Sequence, residues 1–139
     1  MTAKQSILRC LFVYFIFLCC ATTFATAAET RIETVLADGG KAAIIFADSP
    51  LKTMTEIPFS IELNDETGST IKNAELALSL TMPFMEMPPN NPKAGWREIS
   101  YKGRAIFTMA GAWQVNVEIK RPKTATEKII FDIEMVVMK

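Results

Sequence analysis

The side chains with the most specific chemistry in this sequence are the thioethers of Met82, Met85 and Met87, spaced Met-x-x-Met-x-Met in the stretch Thr81 to Pro92. A thioether is a soft, neutral donor that needs no deprotonation and forms no disulfide. In an oxidising compartment without thiols it is the donor left for Cu(I) or Ag(I). In this scheme Met85 and Met87 ligate, Met82 or Met109 completes a trigonal set, and Trp96 or Trp113 shields the ion. Pro83, Pro88, Pro89 and Pro92 exclude both helix and inner strand here, so the stretch is an irregular surface connection carrying large apolar side chains. Two other uses of those side chains compete with metal binding. Met82 caps the core while Met85 and Met87 fill space as adaptable apolar groups, or the methionines with Phe84, Trp96 and Trp113 form a pliable surface for an extracytoplasmic partner protein.

Other chemistries have little support. The sequence has no histidine, and its three cysteines, Cys10, Cys19 and Cys20, all lie near the N-terminus. The usual general base, nucleophile and zinc ligands are therefore missing from the rest of the chain, and an enzyme is not expected. Glu62, Glu75, Glu118, Asp132 and Glu134 fall on polar strand faces, where a solvated charge is the ordinary state. Asn64-Asp65-Glu66 offers hard oxygen donors for calcium but lacks the spacing of a calcium loop, and reads as a turn. Basic and acidic side chains number 15 each, and the cluster Lys120, Arg121, Lys123 and Lys128 is too small for a nucleic-acid footprint.

The N-terminus has the order of a secretory signal peptide. Lys4 and Arg9 precede an apolar run from Leu11 to Phe24, and Ala25-Thr26-Ala27-Ala28 supplies a small-residue cleavage site. The expected organisation is a signal peptide over 1–27, an N-terminal extension over 28–40 and one domain over 41–139. Cleavage near Ala27/Ala28 predicts a periplasmic or secreted protein without thiols. The alternative is membrane anchoring by residues 11–28, although that run is short for a spanning helix. Lipidation at Cys19 or Cys20 is disfavoured by the Leu18 and Cys19 that precede them.

Period-two alternation predicts the fold. Ile57, Phe59, Ile61 and Leu63 share one face of a strand. Leu76, Leu78, Leu80 and Met82 share another, as do Trp113, Val115, Val117 and Ile119, and Ile129, Phe131, Ile133 and Met135. Weaker runs at 41–47, 96–101 and 104–109 bring the expected number to about seven. Turns are expected at Asp38-Gly39-Gly40, 64–68, Lys102-Gly103, Ala110-Gly111 and Pro122. No helical periodicity is present. The result is an all-β, immunoglobulin-like antiparallel sandwich. If successive strands alternate in direction, Met54, Met82, Met85, Met87, Met109, Met135 and Met138 all fall at one pole, with Phe84, Trp96 and Trp113.

The Met-Pro-Phe-Met-Glu-Met-Pro-Pro run at 82–89 is followed by Phe107-Thr-Met-Ala-Gly-Ala-Trp113 and an alternating strand to Ile119. With Ser49-Pro50-Leu51 and the turn at Asp65 to Gly68 upstream, this order resembles the YtkA-like domain family over roughly Lys41 to Lys120. The resemblance implies a small extracytoplasmic immunoglobulin-like sandwich, often encoded near heavy-metal or respiratory functions, with no enzymatic activity established for the class. Its matched positions are Met82, Met85, Met87, Met109, Gly111 and Trp113. The loop departs from many members in having Phe84 and Glu86 around Met85 and no histidine.

Overall fold

The computed structural model describes residues 28–139. The predicted signal peptide and all three cysteines lie outside the described residues. Eight strands account for the regular structure of the described part: β1 Thr30–Val35, β2 Lys41–Phe46, β3 Glu56–Asn64, β4 Glu75–Thr81, β5 Ala94–Arg97, β6 Ser100–Ile106, β7 Gly111–Lys120 and β8 Glu127–Val136. They form two antiparallel sheets, β1-β2-β3-β6-β5 and β4-β7-β8. These face each other as the two layers of an immunoglobulin-like sandwich.

The core follows from the alternation. Ile57, Phe59, Ile61 and Leu63 of β3 are buried, and so are Trp113, Val115, Val117 and Ile119 of β7 and Ile129, Phe131 and Ile133 of β8. At one end an aromatic chain crosses the interior. The ring centroids of Phe59 and Phe46 are 6.1 Å apart, those of Phe46 and Phe107 5.8 Å, and those of Phe107 and Trp113 5.4 Å. The last two pairs meet edge to face, the arrangement that the ring quadrupoles favour.

The opposite end is held by polar contacts. The Tyr101 hydroxyl donates to the Ile71 carbonyl at 2.8 Å and accepts the Ala74 amide at 3.0 Å, fixing the crossing between sheets. Burial pushes this phenol above its ordinary value, with the Ala74 hydrogen bond opposing the shift. Arg121 ties the β7–β8 hairpin to the β1–β2 turn through Asp38 and Glu127, both at 3.3 Å. The expected basic cluster is thus partly neutralised. The Asp65 carboxylate accepts from the Thr67 hydroxyl at 2.6 Å and from the Thr67 and Ser69 amides, so it works as a turn-former.

Three expectations change. The stretch 28–40 is more than an extension, because β1 pairs with β2 along Thr30↔Phe46 to Val35↔Lys41. Lys102-Gly103 is not a turn but the middle of β6, and the chain reverses instead at Glu98-Ile99, where Glu98 takes φ 58°. Gly103 is needed for space: a Cβ there would collide with the Lys93 carbonyl oxygen and lie 2.6 Å from Phe59 Cζ. Trp96 consequently pairs with Tyr101, toward the end held by polar contacts and away from the methionines.

Two outcomes follow. Gly103→Ala should lower stability by about 1–3 kcal/mol through overpacking, read as an earlier urea midpoint with an unchanged slope. The hydrogen bonds to Asp65, that of the Thr67 hydroxyl first, hold its pKa below the usual carboxylate value. Its contribution is therefore complete above the unfolded-chain pKa of about 3.9 and lost as the pH falls through the lower folded value. Asp65→Asn should reduce the loss of stability between pH 5 and pH 2, as followed by thermal unfolding.

Candidate functional site

The strand register gathers the methionines at one end. Glu56 at the start of β3 lies opposite Ile106 at the end of β6, Thr81 at the end of β4 opposite Gln114, and Gly111 opposite Val136 at the end of β8. The connecting segments close this end by backbone bonds. The Met54 amide donates to the Phe107 carbonyl at 2.8 Å and the Thr53 amide to the Val137 carbonyl at 2.9 Å. Met54, Met82, Met85, Met87, Met109, Met135 and Met138 all flank these strand ends. Strand parity therefore places the methionines correctly, since the extra strand precedes the counted set and the shifted β5–β6 turn preserves the direction of both strands.

Within the pole, Met82 to Met85 form one tight reversal. The Met85 amide approaches the Met82 carbonyl at 3.4 Å and the two residues make an isolated antiparallel bridge. Pro83 takes the second position of the turn, where its fixed φ is favoured, and Phe84 stands at the tip, 96 % exposed. Met85 is exposed, whereas Met82 and Met87 are half-buried against the core. Asn90 fastens the base of the loop to both sheets. Its carbonyl accepts the Leu80 amide at 2.8 Å, and its side-chain amide donates to the Ile106 carbonyl at 2.9 Å. Asn90 carries one local signal in the sequence, its place between Pro89 and Pro92, where a side-chain amide can satisfy backbone groups that no ladder reaches; it is not among the expected site residues.

The second segment of the site is Phe107 to Trp113. Gly111 takes φ 124°, and a Cβ there would lie 3.2 Å from the Met82 terminal methyl. The Met82 side chain thus rests against the bend that immediately follows Met109. Trp113 is fully buried, and its indole N–H donates to the Met109 carbonyl at 2.9 Å. It therefore supports the Met109 segment from inside and offers no exposed interaction surface. Of the three aromatic surface residues expected, only Phe84 is exposed at the pole. Trp96 is half-buried, with its ring edge to face on Tyr101 at 5.1 Å.

The candidate soft donors at the pole are the thioethers of Met82, Met85, Met87 and Met109. Among the described residues no three His, Cys, Asp or Glu side chains come together to hold a metal ion. A separate concavity of about 680 Å³ lies beside β4, lined in part by Ser79, Asn91, Lys93, Asn116 and Lys128, and contains none of the methionines.

With this geometry in place, the comparison with known proteins fits the fold. The chain belongs to the YtkA-like family, whose sequence model matches residues 34–118. The match includes the Met82–Met87 loop, Met109, Gly111 and Trp113. Neither curated proteins nor solved structures give a match.

Trp113→Ala would remove both the ring packed on Phe107 and the donor to Met109. A loss of about 3–5 kcal/mol is expected, seen as a denaturation midpoint moved to much lower urea or as failure to accumulate soluble protein. A shift below about 1 kcal/mol would be inconsistent with the buried indole.

Proposed function

We propose that this protein is an extracytoplasmic, non-catalytic binding module that holds Cu(I), or a similarly soft monovalent ion, at its methionine pole. The observation that carries the proposal is the adjacency of two methionine-bearing segments. The Met82–Met85 reversal sets two thioether residues across one turn, and the Met82 methyl rests on the Gly111 bend two residues beyond Met109. Met87, half-buried three residues before Asn90, supplies a fourth donor position on a loop whose base is pinned to both sheets. An uncharged sulfur set favours a soft monovalent cation over zinc or calcium. Partial burial of Met82 and Met87 limits the water that would compete for the ion. Localisation outside the cytoplasm rests on the N-terminal sequence.

A second use of the same pole is docking of an extracytoplasmic partner protein. Exposure of Phe84 and Met85 at the tip of the loop favours it, with Met54, Met135 and Met138 also exposed at this end of the sandwich, since large apolar groups on a surface mark contact sites. One variant separates the two. Met85→Leu with Met87→Leu keeps volume and hydrophobicity and should cost under about 1.5 kcal/mol per site. If the pole holds Cu(I), this variant loses the ion to a chelator at concentrations where the unmodified protein retains it. Failure of the unmodified protein to hold Cu(I) or Ag(I) at micromolar concentration would remove the metal reading and leave the docking surface.

A further inference from the structure

The sheet edges are unequal. β5 has four residues, β1 has six, and β4 has seven, with its Leu80 amide taken by the Asn90 carbonyl; β8 has ten. It pairs with β7 on one side alone. On the other side its ends are occupied: the Glu127 carboxylate accepts the Ala37 amide, and Val137 exchanges backbone hydrogen bonds with Leu51 and Thr53, both at 2.9 Å. The open length is therefore Lys128 to Glu134. β1 does not close it, since a groove of about 550 Å³ lies between Thr30–Glu33 and Asp132–Met135. An open run of ladder donors and acceptors is a template for a further strand.

The outward side chains select the strand that fits. Lys128, Ile130, Asp132 and Glu134 are exposed on that face, and none of the three charged groups is in an ion pair among the described residues. On β7, Glu118 lies opposite Lys128, Asn116 opposite Ile130, and Gln114 opposite Asp132, to which it donates at 2.9 Å. A second copy of β8, related by a two-fold axis normal to the sheet, runs antiparallel and keeps the outward faces together. Centred on Ile130, this pairing sets Ile130 against the partner's Ile130, and on each side of the axis a Lys128 against an Asp132. Each such row of the joined sheet reads Glu118, Lys128, the partner's Asp132 and the partner's Gln114, so the charges alternate. Neighbouring registers fit less well. Centred on Phe131, Ile130 would face the partner's Asp132; centred on Ile129, Lys128 would face the partner's Ile130 and the pairing would run onto Glu127, which already holds Ala37.

We infer that two copies of this chain join edge to edge through β8, with the axis at Ile130, so that two three-stranded sheets become one of six strands in the order β4-β7-β8-β8-β7-β4. Pairing over this short length buries less surface than a standard interface, so the dimer forms and dissociates with concentration. The Met82–Met87 loop follows β4, at the far edge of the same sheet, and stays uncovered in both copies. The inference is thus independent of the ion reading.

Residues 28–139 contain both sheets and the core between them and hold no cysteine, so they are the part tested. Sedimentation equilibrium from micromolar to near-millimolar loading is expected to show a reversible monomer–dimer system. Ile130→Lys sets two ammonium groups against each other at the axis and should weaken association about tenfold or more. Ile130 is 48 % exposed, so the urea midpoint at low concentration should stay in place. Register is read by oxidising single-cysteine variants. Ile130→Cys should give a disulfide-linked dimer, because directly opposed Cα atoms on antiparallel neighbours lie about 4.5–5.5 Å apart. Lys128→Cys or Asp132→Cys alone should crosslink several-fold less, each lying roughly 13 Å from its own copy, whereas a mixture of the two should crosslink well. A protein that stays monomeric throughout, a dimer insensitive to Ile130→Lys, or equal crosslinking at all three positions would overturn the inference. A dimer insensitive to Ile130→Lys would place self-association elsewhere, at the methionine pole or another edge.

Discussion

The contact on which this molecule depends is the seat of Trp113. Its ring closes the aromatic chain from Phe59 through Phe46 and Phe107, while its indole N–H reaches the Met109 carbonyl. One side chain thus joins the hydrophobic interior to the backbone that presents Met109 and leads into the Gly111 bend. The Met82 side chain then rests on that bend. Burial of the indole is consequently both a stability term and a positioning device, because it holds the Met109 carbonyl beside the bend on which Met82 rests.

The two poles solve the problem of sheet ends differently. At the far end, polar groups are satisfied locally: Tyr101 pins the crossing at Ile71 and Ala74, Asp65 collects the amides of its own turn, and Arg121 bridges Asp38 and Glu127. At the methionine end the backbone is closed by short segments, with Leu51 to Thr53 bonded to Val137 and Met54 bonded to Phe107. Met54, Phe84, Met85, Met135 and Met138 are left exposed there, beside the charged Lys52, Glu56 and Glu86. That exposure adds nothing to folding, which is the ground for seeking a contact surface at this end. Asn90 makes the arrangement specific by tying the loop to β4 and β6 at once.

Much of the fold could be read from β3, β4, β7 and β8, whose alternation is long enough to fix both period and inward face, except at the end of β8, where Met135, expected inward after Ile133, is exposed and Val136 is buried instead. β1 was not legible as a strand. Thr-Arg-Ile-Glu-Thr-Val has only half-buried positions on its inward side because it pairs on one edge alone, so the hydrophobic contrast is weak. The β5–β6 turn was misplaced because Lys102-Gly103 carries a turn signature, whereas its glycine serves a close approach of Phe59 and Lys93; the true turn uses Glu98 with positive φ and has no glycine. That shift is what moves Trp96 out of the pole. The gathering of methionines needed only strand direction, a property that survives small boundary errors. The Met82–Met85 bridge and the Asn90 staple needed coordinates, since proline-rich loops have no period from which to predict pairing.

The most direct test of the account is an NMR titration of the protein labelled with ¹³C at the methionine methyls, with Cu(I) supplied under reducing conditions. The account predicts that the signals of Met82, Met85, Met87 and Met109 shift together and saturate at one equivalent, while those of Met54, Met135 and Met138 stay in place. Uniform small shifts of all these methyls, or movement confined to the exposed Met54, Met135 and Met138, would contradict a site built where the two segments meet.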